Sequence, residues 1–279
     1  MANNDVTLTA ALRTNLLSLQ GTQKLVDQTQ LRLATGKKVN SALDNANSFF
    51  ASQSLTNRSN DLTRLLDGIG QGIQTIKAAD QGITTMTSFL EQMQAVAQEA
   101  LDQANAAGGG AGQAPADQQS LEDSYTELVA QLDSVAADAG YRGTNLLANG
   151  SLSVTFNEDG TSSLTVAGVD FTSGGDLAIT DGGFADKAAA ELALTEISAA
   201  LDLARATARS LGTNLNIMQT REDFTQNIIN TLKEGSDKLT LADNNEEGAK
   251  LLALQTQQQL GVTSLSLASQ SQQSVLSLF

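Results

Sequence analysis

The side chains able to do chemistry in this chain form a short set. There is no Cys and no His. Thiol nucleophiles, imidazole bases, disulfides and the usual zinc and haem ligands are removed together. Carboxylates, Lys, Tyr and Ser remain, and no pair of them stands in a pocket-forming context. Glu158 and Asp159 lie side by side in Asn157-Glu158-Asp159-Gly160. Two carboxylates on a turn read as solvated, since a calcium site needs more oxygen ligands at fixed spacing. Lys37 and Lys38 read as solvated too. Met86 and Met93, seven apart, read as core and not as a ligand pair. Neither an enzyme nor a cofactor is expected. The informative residues are apolar, and their spacing points to assembly.

The elements that would position them are helices. Aromatics make up 4% of the 279 residues, with no Trp and one Pro. Cores usually draw much of their buried area from aromatics. A long periodic chain without them implies helices packed through small and aliphatic residues. Charge is unevenly placed. The net is -15, made of +3 over residues 1–40, none over 251–279 and -18 between them. An acidic middle disfavours nucleic acid and anionic membranes as partners. The N-terminus MANNDVTLTA lacks a basic region followed by an apolar run, so no cleavable signal is expected. No window is apolar enough to span a membrane. The missing Cys fits an exported protein and a cytosolic one equally.

Met1 to Asp5 reads as disordered. From Val6, Leu8 and Leu16 lead into a heptad column Leu12, Leu19, Val26 and Leu33. That helix is expected to end at Thr35 with Gly36 as its cap. Residues 36–45, GKKVNSALDN, form a connector, with Asp44 as the candidate N-cap of the next helix. That helix runs from about Ala46 to Ala106 on the column Leu62, Ile69, Ile76, Ile83, Leu90, Ala97 and Ala104. A companion column, Leu66 and Ile73, turns polar at Asp80. The opposite flank carries Gly72, Ala79, Met86, Met93 and Ala100. The stripe therefore rotates along a long, gently wound helix. Gly68, Gly70, Gly72 and Gly82 each cost roughly 1 kcal/mol relative to Ala. They mark either a close approach or local flexibility. The triplet Gly108 to Gly110 breaks the pattern. A third helix over 116–139 has the seam Leu121, Tyr125, Leu128, Leu132, Val135 and Ala139.

Over 151–172 the period becomes two. Leu152, Val154 and Phe156 alternate, then Leu164 and Val166, with Val169 and Phe171 as a candidate continuation, around the turn at 157–160. This is a β-hairpin, with a short third strand or loop through Gly182-Gly183. The fourth helix has the cleanest seam: Leu194, Ile197, Leu201, Ala204, Ala208, Leu211, Leu215, Met218, Glu222, Thr225, Ile229 and Leu232. Glu222 there pairs with a basic group or faces water. Leu241 to Gly248 reads as a polar connector.

The last stretch, Leu251 to Phe279, has no charged side chain. One face runs through Leu251, Leu254, Gln258, Gly261, Leu265, Ala268, Gln272, Val275 and Phe279. Leu260, Val262, Leu267, Leu276 and Leu278 fall outside it. A helix apolar on several sides must be buried on several sides, and its many Gln side chains exclude hydrocarbon. It requires protein on most faces. The N-terminal helix supplies one, and copies of the chain supply the rest. The two ends are expected to fold against other copies on assembly, through heterologous contacts that generate rings or open filaments.

The segments LRLATGKKVNSALDNA, DGIGQGIQTIKAADQGI and LALQTQQQLGVTSLSLASQSQQSVLSLF closely resemble bacterial flagellin of the alphaproteobacterial type, and the order of elements matches. The resemblance implies a mainly α fold: a long coiled-coil bundle with a small β-hairpin region and a terminal helix pair that orders on assembly. Residues 1–40 and 241–279 would build the inner tube of a flagellar filament. Residues 46–140 and 186–240 would build its outer tube, and residues 141–185 a short variable region. Inner-tube polymerisation would fall to Leu12, Leu16, Leu19, Val26, Leu33, Leu254, Leu260, Leu265, Val275, Leu276 and Phe279. The resemblance further implies a secreted subunit that polymerises with its own copies. Its other partners would be the flagellar type III export apparatus, an export chaperone, the filament cap and hook-junction proteins. One departure concerns the flagellin-sensing Toll-like receptor. Flagellins it senses carry arginines in a stretch like LQRVRELAVQ, where Met93 to Asp102 reads MQAVAQEALD, with Ala95 and Ala97 in their place. Poor recognition is expected, since the cationic donors are missing. Rival readings are a hook–filament junction or cap protein, and a coiled-coil adaptor with one partner.

Overall fold

The computed structural model describes residues 10–106, 115–180 and 183–276. In order these form α1 (Ala10–Thr35), α2 (Ala46–Ala106), α3 (Pro115–Asp138), β1 (Ser151–Thr155), β2 (Ser163–Ala167), α4 (Lys187–Thr240) and α5 (Asn244–Leu276). The mainly α fold with one small sheet is as the spacing implies. Met1 to Asp5, Leu8, the Gly108 triplet, Gly182, Leu278 and Phe279 lie outside the described residues. The chain divides into two units, residues 58–230 and residues 1–57 with 231–279.

In the 58–230 unit, the stripe of α2 turns as its sequence demands. Leu62, Ile69, Ile76, Ile83, Leu90, Ala97 and Ala104 are buried throughout. Ile73 is buried early on one flank, and Gly72, Ala79, Met86, Met93 and Ala100 on the other. The alternative left open for the glycines resolves position by position. At Gly72 a Cβ would collide with Met218 and Val154, and at Gly82 with Leu147 and Ala139, so these two are close approaches. At Gly68 and Gly70 it would meet nothing. From α4, Ile197, Leu201, Ala204, Leu211, Met218, Thr225 and Ile229 are buried. Leu194, Leu215 and Glu222 are half-buried. From α3, Tyr125, Val129, Leu132 and Ala136 complete the core.

The stretch between α3 and α4 is a packed layer and not a hairpin alone. β1 and β2 pair antiparallel with Leu152 opposite Val166 and Val154 opposite Leu164. Among the described residues these are the only strands. Leu146, Leu147, Phe171, Leu177, Ile179 and Phe184 also enter the core, and Phe184 meets the Tyr125 ring edge-on at 5.2 Å. Polar ties hold the loops down. The Asn145 amide donates to the carbonyls of Ala136 (2.7 Å) and Ala137 (3.0 Å), satisfying the open end of α3. The N–H and hydroxyl of Ser173 donate to Asp133 at 2.6 and 2.8 Å. Those of Thr180 donate to Glu196 at 3.0 and 2.7 Å. The period-two signal found the strands but not this layer, whose apolar residues are too scattered to show a period.

In the other unit, Gly36 closes α1 in a left-handed conformation (φ 67°), as its position after Thr35 implies. Asp44 is not the cap of α2. That role falls to Asn45, whose Oδ1 accepts the Ser48 N–H at 3.1 Å. Asp44 instead accepts the N–H groups of Asn40 and Ser41, each at 3.0 Å. These donors hold its carboxyl below the usual carboxylate range. The expected connector Leu241 to Gly248 is also corrected, because α5 already begins at Asn244. Asp243 Oδ1 accepts the N–H groups of Asn245 (2.8 Å) and Glu246 (3.3 Å). Glu246 and Glu247 occupy the first turn, where negative charge opposes the helix dipole. A run that resembles a solvated loop is a capped helix start.

Candidate assembly surface

The surface is built on α1 and α5, which pair antiparallel. Contacts step down one helix as they step up the other. Arg32 Nη1 donates to Glu247 Oε1 at 3.0 Å. The Gln258 amide donates to Gln23 Oε1 at 2.6 Å. Leu19 lies over Gly261, where a Cβ would sit 2.6 Å from its Cδ2. The Asn15 amide donates to Ser264 Oγ at 3.4 Å. The three-four face of α5 is the one turned inward: Leu254 is buried, and Leu251, Gln258, Gly261, Leu265 and Ala268 are half-buried. On α1 the inward residues are Leu12, Thr22, Val26 and Thr29, flanked by half-buried Leu19 and Leu33.

Beyond this seam both helices carry uncovered leucines. On α5, Leu252 (67%), Leu260 (67%) and Leu267 (69%) are exposed together with Val262. On α1, Leu16, Leu17, Leu25 and Leu31 are exposed. So many exposed large apolar side chains on two paired helices suit an interaction site. Of the eleven expected polymerisation residues, Leu12, Val26 and Leu254 are buried and Leu19, Leu33 and Leu265 half-buried, all in the α1–α5 seam. Leu16 and Leu260 face out. Val275 and Leu276 end α5, and Phe279 lies beyond the described residues. Leu17, Leu25, Leu31 and Leu252 escape the sequence reading because they belong to no seven-residue column.

Two further features tie this region together. Lys37 and Leu241 form an antiparallel bridge between the two connectors. The Lys38 N–H donates to the Thr240 carbonyl at 2.7 Å, and the Ala242 N–H to the Gly36 carbonyl at 3.0 Å. The Lys38 ammonium also reaches the Lys238 carbonyl at 3.3 Å. Lys37 and Lys38 are exposed, as expected, and it is chiefly their main chain that joins the clasp. The second feature is the Arg32–Glu247 pair, with side chains 22% and 9% exposed. Among the described residues, Arg32 Nε and Glu247 Oε2 are buried without partners. The pair holds the last turn of α1 against the first turn of α5.

The stretch Met93 to Asp102 carries the two alanines expected to weaken receptor recognition. Ala95 is exposed, but Ala97 is fully buried in the stripe of α2. An arginine at 97 would place its guanidinium in the core, so only position 95 offers surface.

A coiled-coil body that completes its own core, together with a helix pair that leaves apolar faces open, defines a self-assembling structural subunit. Sequence comparison gives the family. Residues 6–151 match the bacterial flagellin N-terminal helical region, and residues 194–279 the bacterial flagellin C-terminal helical region. The chain is 31% identical to flagellin FljO of Caulobacter vibrioides over 245 residues, covering 87% of this chain and 86% of that protein. It is 32% identical to flagellin FljM of the same organism at the same coverage. It is 29% identical to a flagellin of Brucella melitensis, covering 84% of each chain. A crystal structure of Bacillus cereus flagellin is similar over 56% of this chain and 86% of that one, with 16% identity and a TM-score of 0.47. The chain belongs to the bacterial flagellin family. It is a structural subunit of the flagellar filament and serves motility.

Proposed function

We propose that α1 and α5 build the inner tube of the filament and that residues 46–140 and 186–240 build its outer tube. The observation that carries this reading is the set of exposed leucines on α1 and α5. They remain after the two helices have covered one another, and copies of the same helices are the partners that suit them. Leu16, Leu260, Val275, Leu276 and Phe279 then pack between subunits, whereas Leu12, Leu19, Val26, Leu33, Leu254 and Leu265 pack within one. The seam of Leu62, Ile69, Ile76, Ile83, Leu90, Leu194, Ile197, Leu201, Leu211, Leu215, Met218, Ile229 and Leu232 holds the outer-tube helices rigid. The subunit is exported unfolded through the flagellar type III apparatus, held beforehand by a chaperone and placed under the cap. Deleting residues 275–279 tests the reading. Electron microscopy is expected to show long filaments from the full chain and none from the truncation, with the coiled-coil body still folded by circular dichroism. Filaments from the truncation would overturn the inner-tube role.

The alanines at the receptor stretch make the chain a weak agonist of the flagellin-sensing receptor. Ala95→Arg restores one exposed cationic donor, and a reporter-cell assay is expected to show a gain in potency. Ala97→Arg is expected to unfold the body before it gains anything.

A further inference from the structure

We propose that a groove on the 58–230 unit, between α2 and the hairpin, receives the acidic surface of a second copy of this chain. The groove is a cavity of about 380 Å³. Gly68 and Gly72 of α2, Leu152 and Val154 of β1, and Arg64 and Arg142 are among the residues that line it. Tyr141 stands beside it, its hydroxyl fixed by a 2.9 Å hydrogen bond to Gln71 Oε1.

Two observations bear on the occupant: room and charge. The first is the contrast between the two lining glycines. Gly72 is explained internally, since Met218 and Val154 occupy the space a Cβ would need. Gly68 is not explained that way, as Gly70 outside the groove is not, and what it gives the groove is open space. It lies inside α2, where alanine is the better helix former, and a Cβ there would meet no atom of this chain. The second is charge. Residues 58–230 hold 23 acidic side chains against eight cationic ones, and two of those eight line this groove. Arg142 makes no ion pair or side-chain hydrogen bond among the described residues. Arg64 pairs only with Asp61, one turn away on its own helix, where both are exposed. Exposed pairs of that kind hold weakly, so both guanidinium groups are available. Their complement is the acidic body of the next subunit, and a groove that meets a different surface on a copy makes a heterologous contact, which extends a polymer.

The inference rests on the filament reading, and the test separates the two. The chain has no native cysteine, so Gly68→Cys gives one thiol. Doped as a minor fraction into wild-type protein, it is expected to react with a maleimide about tenfold more slowly in filaments than as monomer. Equal rates in filaments verified by electron microscopy would overturn the groove contact alone. Wild-type protein that forms no filaments would overturn the filament reading and this inference with it. Gly68→Leu supplies the second measurement. Its critical concentration for polymerisation is expected to rise about tenfold, equivalent to 1.4 kcal/mol, while monomer thermal unfolding stays unchanged or moves up. An unchanged critical concentration, or a destabilised monomer, would refute the proposal.

Discussion

The bundle in residues 58–230 and the α1–α5 pair are written in the same alphabet of Leu, Ile, Val and Ala at three-four spacing, but they end in different states. In the bundle, every seam residue from Leu62 to Leu90 that was expected to be buried is buried within one chain. In the α1–α5 pair one face closes, and Leu252, Leu260 and Leu267 stay uncovered. Side chain chemistry does not separate them. The number of partners does: α2 meets α3, α4 and a loop layer, so its stripe can rotate and still find cover. A helix with a single partner can bury only one stripe. The first region is built to persist alone, the second to be completed by others.

The contrast is broken most severely by charging the open face. Leu260→Asp with Leu267→Asp would bury unpaired carboxylates at the proposed subunit contact. Sedimentation is expected to find no polymer, with the thermal unfolding of the bundle unmoved. A shift in that transition would mean the face is already engaged within the chain. The reverse experiment is Leu90→Ala in the bundle. It removes a fully buried side chain and is expected to cost about 2–5 kcal/mol, read by chemical denaturation. A smaller effect follows from Arg32→Ala. It leaves the Glu247 carboxylate buried without its donor, a penalty of about 1–3 kcal/mol. Hydrogen exchange is expected to quicken in the last turn of α1 and the first turn of α5, with no change in residues 58–230.

How much of this could be read from the sequence depends on whether a residue belongs to a period. The α2 and α4 seams and the inward face of α5 were legible because long helices repeat their environment many times. Strands β1 and β2 were legible from a few alternating residues and a turn. The caps were less so: Asp44 and Asn45 are both good capping residues, and only the backbone path decides that Asn45 does it. The core contributions of Leu146, Leu147 and Phe184 were invisible, since irregular backbone has no period to betray its inner side. Leu17, Leu25 and Leu31 of α1 were hidden for the opposite reason. A search for columns discards residues outside them, and those are the ones that await a neighbour.

The clasp between Lys37 and Leu241 has a consequence for the order in which the chain folds. It joins two points about 200 residues apart, and closing a loop of that length from an unfolded chain costs on the order of 5 kcal/mol. A few main-chain hydrogen bonds cannot offset that alone. Nearby, the Ser52 and Ser236 hydroxyls meet at 2.9 Å, so α2 and α4 bring the connectors to the same place once they pair. The clasp is therefore expected to form after the long helices and to open before them. On that order it is a late latch, and α1 and α5 gain their register in a subunit whose long helices are already paired.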